Sequence, residues 1–158
     1  MLITKVIFLD IDGPMISDRA MLLPGNRHKL AEWFDPLATL LLLDVIEKTS
    51  ASLVISSTWA IKGRDAVVEL LTQNNVNPDF LHPDWMTPRK FSSNREAEIA
   101  WWLEKHPEIT HYAILDDHYG IKTMKNSVYV STQNGLLWQD YQKMLQLLAF
   151  EDKPDFSE

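Results

Sequence analysis

Two aspartates one residue apart, Asp10 and Asp12, close the apolar run of KVIFLDIDGP. Two more, Asp116 and Asp117, close the run HYAILDD, and a third run, SLVISS, ends in Ser56 and Ser57 with Thr58 next. If these ends meet, four carboxylates share one place, and like charges at short range push one another towards protonation unless a cation sits among them. Mg²⁺ suits such a set, because it takes hard oxygen donors and keeps several waters. There is no cysteine, and no histidine pair stands at a spacing that points to zinc. An acidic Mg²⁺ site can receive a phosphate. One aspartate is then free to attack phosphorus, while a second protonates the leaving alcohol and later activates water. Asp10 and Asp12, at one strand end, can divide those roles. A hydroxyl from Ser56, Ser57 or Thr58 can hydrogen-bond the phosphoryl oxygens, and a lysine or arginine can balance their charge.

The elements that must position these groups are legible as strands alternating with helices. Leu2 to Leu9 is β-branched and apolar with little alternation, as expected of a strand buried on both faces. Asp35-Pro36 is an N-cap followed by proline at the first helical position, opening a helix to about Lys48. Ser52 to Ser57 is a second strand, and Gly63 to Asn75 a second helix. The segment NNVNPDFLHPDWMTPRKF, rich in proline and asparagine, is expected to be loop. Ser93-Asn94-Arg95-Glu96 has capping-box spacing before a helix that Pro107 stops. His111 to Asp117 is a third strand, SVYVS a fourth, and Leu137, Tyr141, Met144, Leu145 and Leu148 mark a last amphipathic helix. This alternation predicts an α/β doubly wound parallel sheet with right-handed crossovers. In such sheets ligands collect beyond the carboxyl ends of the strands, where three of the four expected strands place polar groups. One strand ending in Asp-x-Asp-Gly would be an ordinary turn, since both residue types favour turns. The convergence of three such ends carries the reading.

Bulk properties narrow the function further. With 158 residues, 46% of them hydrophobic, the chain is expected to form a single domain over residues 1–150, followed by an acidic, disordered tail at 151–158. A net charge of −7 and no long basic run argue against gripping nucleic acid along an extended backbone track. Met1 to Leu9 is too short for a signal peptide and Leu37 to Leu43 too short for a bilayer span, so a cytoplasmic protein without membrane contact is expected.

FLDIDGP, LVISSTW, a basic residue before a helix and AILDDH, in that order, resemble motifs I to IV of the haloacid dehalogenase (HAD) superfamily. SSTW followed by NREAEIAWWL and ILDD is similar, more narrowly, to the small HAD-like domains of nucleic-acid repair proteins. The resemblance implies a HAD-like Rossmannoid sheet and a Mg²⁺-dependent phosphomonoester hydrolase working through an aspartyl-phosphate. It implies Asp10 as nucleophile and Asp12 as acid and base, with the Asp12 main-chain carbonyl on the metal and Asp116 and Asp117 completing its site. The matching hydroxyl of motif II is Ser57, two before Trp59, with Ser56 the other candidate. For motif III, Arg95 fits the R-x-x-E-I pattern, and Lys90 the superfamily's commoner lysine.

The gap from Gly13 to Phe34 is below the usual size of a domain, so an essentially capless enzyme with an open mouth is expected. Such a mouth suits a phosphate on something large, and the resemblance implies a nucleic-acid end, with a small nucleotide or metabolite the chief rival. Grip would come from Arg19, Arg27, Lys62 and Arg64 and stacking from Trp33, Trp59 or Trp85. The alternatives are a small-metabolite phosphatase and a catalytically silent HAD-like binding module. A signalling receiver fits poorly, because its lone acceptor aspartate follows the third strand.

Overall fold

The computed structural model of the chain describes residues 2–27, 31–89 and 94–149. Five parallel strands, β1 (Lys5–Leu9), β2 (Ser52–Ile55), β3 (Leu81–Met86), β4 (His111–Asp116) and β5 (Ser127–Tyr129), form one sheet in the order β3-β2-β1-β4-β5. Four helices accompany them: α1 (Pro36–Thr49), α2 (Arg64–Gln73), α3 (Arg95–Lys105) and α4 (Trp138–Leu147).

Both faces of the sheet are covered, which explains why its strands read as continuous apolar runs. Ile7 and Leu9 of β1 face the larger core with Leu42 and Val45 of α1, Leu70 and Leu71 of α2, and Met144 of α4. Val6 and Phe8 face a smaller core built on Ile99 and Trp102 of α3. There the Phe8 and Trp102 rings meet edge to face at 5.3 Å. Strand order explains the division of the helices. Connections leaving β1 for β2 and β3 run one way along the sheet and the return to β4 runs the other, so right-handed crossovers place α1 and α2 opposite α3. The reversal makes a switch point between the carboxyl ends of β1 and β4, where ligands bind in sheets of this kind.

Local sequence sets the helix ends. The Asp35 side chain accepts the Leu37 N–H at 3.0 Å and Pro36 opens α1, as expected. Asn94, whose side chain accepts the Ala97 N–H at 3.0 Å, caps α3, which displaces the capping-box expectation one residue along. Ser93 and Lys90 lie outside the described residues.

One expected loop is a strand. Residues 81–86 carry Pro83 and Asp84, which argue against a strand, yet they form β3 at the sheet edge. Its pairing with β2 shifts register between Leu53 and Ile55, and an edge position with irregular pairing is where a proline is tolerated. Trp85 therefore lies in a strand and packs against the larger core. Between β1 and α1 the described residues form two short 3₁₀ turns, Arg19–Leu22 and Pro24–Asn26, and no inserted domain, in keeping with a capless HAD-like sheet. No helix among the described residues is long and apolar enough to cross a membrane.

Candidate active site

Asp10 follows the last residue of β1, and its main-chain N–H continues the ladder to the Leu115 carbonyl of β4 at 3.0 Å. That pairing sets Asp10 beside Asp116, the last residue of β4, at the switch point. Both are buried, and with Asp117 they bring carboxylate oxygens within 4.8 Å of one another. Arg95, the first residue of α3, reaches in from the opposite connection. Its Nη1 donates to both Asp116 oxygens at 2.9 and 2.8 Å and stands 3.5 Å from Asp10 Oδ2. Burial, then the Asp116 carboxylate, push the Asp10 pKa well above the ordinary carboxylate value, with Arg95 pulling the other way. Burial works against the Arg95 charge, but Asp10 and Asp116 outweigh it and hold the guanidinium protonated above its usual range.

Loops around this cluster hold it in place. The Ile11 N–H donates to Asp10 Oδ1 at 3.0 Å and the His118 N–H to Asp116 Oδ1 at 2.8 Å. The Thr132 hydroxyl, beyond β5, donates to Asp117 Oδ2 at 2.9 Å. Gly13 lies against the Asp117 carboxyl with φ at +111°, where a Cβ would overlap that carboxyl. Gly13→Ala is therefore expected to lower stability by about 1–3 kcal/mol through backbone strain alone, and to displace Asp117 from the cluster. Urea unfolding of the two proteins checks the first effect.

Asp12 is set apart from this group. Asp12 is an exposed residue, and it lines a neighbouring cleft with Ala31, Thr58, Trp59 and Lys62. Partial burial raises its pKa, and the Trp59 indole N–H opposes the rise. Of the four carboxylates expected at one point, three cluster and the fourth stands beside them. Ser57 is buried and caps the 3₁₀ turn Thr58–Lys62, accepting the Trp59 main-chain N–H at 3.2 Å. Ser56 is buried too, and its hydroxyl has no hydrogen-bond partner among the described residues. Thr58 is exposed on the first residue of that turn. Arg19 pairs with Asp35 at the α1 cap, which ties down one of the cations expected to grip a ligand.

The oxygen-only donor set of Asp10, Asp116 and Asp117 fits a hard divalent cation such as Mg²⁺. A second cluster does not fit a metal as well. His82 and His106 are brought together with Glu108, although they stand far apart in sequence. His82 Nδ1 accepts the Asp84 main-chain N–H at 2.9 Å, so its proton sits on Nε2 and no free lone pair remains for a metal. Both rings pack on Trp102, His106 stacked at 3.7 Å and His82 edge-on at 5.0 Å.

Sequence reasoning missed Thr132 and the closeness of Trp59 to Asp12, which line one cleft. Thr132 carries no local signal, because only the loop after β5 brings it to the site. Trp59 reads in the sequence as an aromatic for stacking, and nothing local tells where its indole N–H points.

The family described as the HAD domain in Swiss Army Knife RNA repair proteins matches residues 6–141, and the chain belongs to that family. This bears out the resemblance of FLDIDGP, LVISSTW and AILDDH and the α/β fold it implied. Searches of curated proteins and of solved structures found no match. The chain is thus a HAD-superfamily domain akin to the HAD domains of RNA repair proteins, with an acidic cluster that could hold a metal.

Proposed function

We propose that the protein is a Mg²⁺-dependent phosphomonoester hydrolase acting on nucleic-acid ends or nucleotides. The observation that carries the reading is the meeting of buried Asp10 and Asp116 with Asp117 and Arg95 at the switch point of a HAD-family sheet. Asp10, Asp116 and Asp117, with the Asp12 main-chain carbonyl, would hold the cation, which when bound neutralises charge on the incoming phosphate. Asp10 attacks phosphorus, the bond from phosphorus to the ester oxygen breaks, and Asp12 gives that oxygen its proton. Asp12 then takes a proton from water as the water oxygen attacks the aspartyl-phosphate, releasing inorganic phosphate and restoring Asp10. The raised pKa of Asp12 supports this role, since an acid must still hold its proton when the ester bond breaks. Ser57, Ser56 and Thr58 supply hydroxyls for the phosphoryl oxygens. Ser57 Oγ accepts the Trp59 N–H and so keeps its own proton to donate. Arg95 balances charge on those oxygens, the part for which Lys90 is the other candidate.

Phosphate release from an aryl phosphate and a 3′-phosphorylated oligonucleotide, with Mg²⁺ and with chelator, tests the proposal. Metal-dependent release supports it. No release from any phosphomonoester would favour a catalytically silent member of the family. Preference for a sugar phosphate would favour a small-metabolite phosphatase.

A further inference from the structure

We propose that Trp59 and Lys62 form the subsite for the leaving group, and that they hold a single terminal nucleoside by its base and one neighbouring phosphate. This subsite rests on the phosphatase reading and deepens it. In that reading Asp12 protonates the ester oxygen that departs, and the rest of the leaving group is bonded to that oxygen. The leaving group must therefore fill the space onto which the Asp12 carboxyl opens. That space is the cleft of about 240 Å³ lined by Asp12, Ala31, Thr58, Trp59 and Lys62.

Its lining selects among leaving groups. Trp59 is half-buried, so its ring is a fixed surface. Lys62 Nζ stands 3.8 Å from the Trp59 ring centroid. The ammonium covers one face of the ring. In the bound state the exposed Lys62 side chain therefore swings off that face to meet a phosphate and the base stacks in its place, whereas a sugar phosphate would need a denser set of hydrogen-bonding groups. A second cleft of about 170 Å³ shares this pair and is lined also by Glu32, Glu69 and Gln73. Its two carboxylates repel a phosphate chain, and among the described residues Lys62 is the one cation lining either cleft. Recognition is therefore of one terminal nucleotide, not of a long stretch of backbone, which agrees with the net charge of −7. Trp33 does not compete for this role. It lines a separate cleft of about 320 Å³ that shares no residue with the one at Asp12.

The test compares kcat/KM, with Mg²⁺, for a nucleoside 3′-monophosphate and for glycerol 2-phosphate, which has no base. The wild-type protein should prefer the nucleotide by about 5–150-fold, the range that one stacked base is worth. Trp59→Leu should cut that ratio at least about fivefold. Trp59→Phe keeps a ring, so it should keep most of the preference. Lys62→Ala, a change at an exposed side chain, should lower the preference for a 3′-phosphorylated dinucleotide over the mononucleotide. No wild-type preference for the nucleotide, or ratios unmoved by both Trp59→Leu and Lys62→Ala, would overturn the subsite while leaving the phosphatase reading intact. Failure to hydrolyse any phosphomonoester, glycerol 2-phosphate included, would remove the phosphatase reading and the subsite with it.

Discussion

Asp10→Asn is expected to lower phosphate release at least about a thousandfold, the scale of losing a nucleophile, while the protein remains folded. An amide in that position neither attacks phosphorus well nor carries charge for a cation. The same substitution has a second, opposite consequence that separates chemistry from stability. Burial and Asp116 raise the Asp10 pKa, so the folded protein without metal binds that proton more tightly than the unfolded chain does. Its stability therefore falls as pH rises above the ordinary carboxylate value of 3.8 towards the raised one. The amide of the variant cannot ionise, so in chelator at pH 7 Asp10→Asn should unfold at higher urea than wild type, and the difference should shrink as pH falls towards 4. Lower stability at pH 7 would show that Asp10 is not strained by its neighbours.

Arg95→Met should have the next largest effect, and on both stability and turnover. The Arg95 side chain is 17% exposed and bridges Asp116, which is fully buried, and Asp10. Removing it leaves two buried carboxylates without their cation, a change that costs about 3–5 kcal/mol when one partner of a buried pair is lost. A bound divalent cation would supply the missing positive charge. The loss measured by thermal unfolding in chelator should therefore be partly recovered in millimolar Mg²⁺, more than the wild type gains. Turnover should fall about 100–1000-fold even in saturating Mg²⁺, as expected when a group stabilising the transferring phosphoryl charge is removed. Equal stability of the two proteins in chelator would mean that Arg95 does not compensate these carboxylates.

Much of this arrangement is legible in the amino-acid sequence. The runs before Asp10, Ser56 and Asp116 are readable as buried strands because both faces of a parallel sheet are covered and no polar alternation interrupts them. Asp35-Pro36 marks the start of α1 because cap and proline act within one turn. What escapes depends on tertiary context. β3 carries Pro83 and Asp84, which local rules read as loop, and its place at an edge is what tolerates them. The separation of Asp12 from the other three carboxylates is equally hidden, because one-residue spacing at a strand end does not say which way the chain turns after it. Here Gly13 at positive φ and the hydrogen bond from its N–H to the Ile16 carbonyl at 3.0 Å make that turn. Thr132 and the pairing of His82 with His106 join distant segments, and no periodicity records them.

Whether phosphate becomes bonded to Asp10 is the most direct test of the proposed chemistry. The wild-type protein, turning over a ³²P-labelled 3′-phosphorylated oligonucleotide in Mg²⁺, is quenched in acid within the first turnovers and the precipitated chain is counted. Label is expected on the protein, released by hydroxylamine as for any acyl phosphate, mapped to the peptide containing Asp10 and absent from Asp10→Asn. Turnover with no label on the chain, or label that persists in Asp10→Asn, would contradict a covalent role for Asp10.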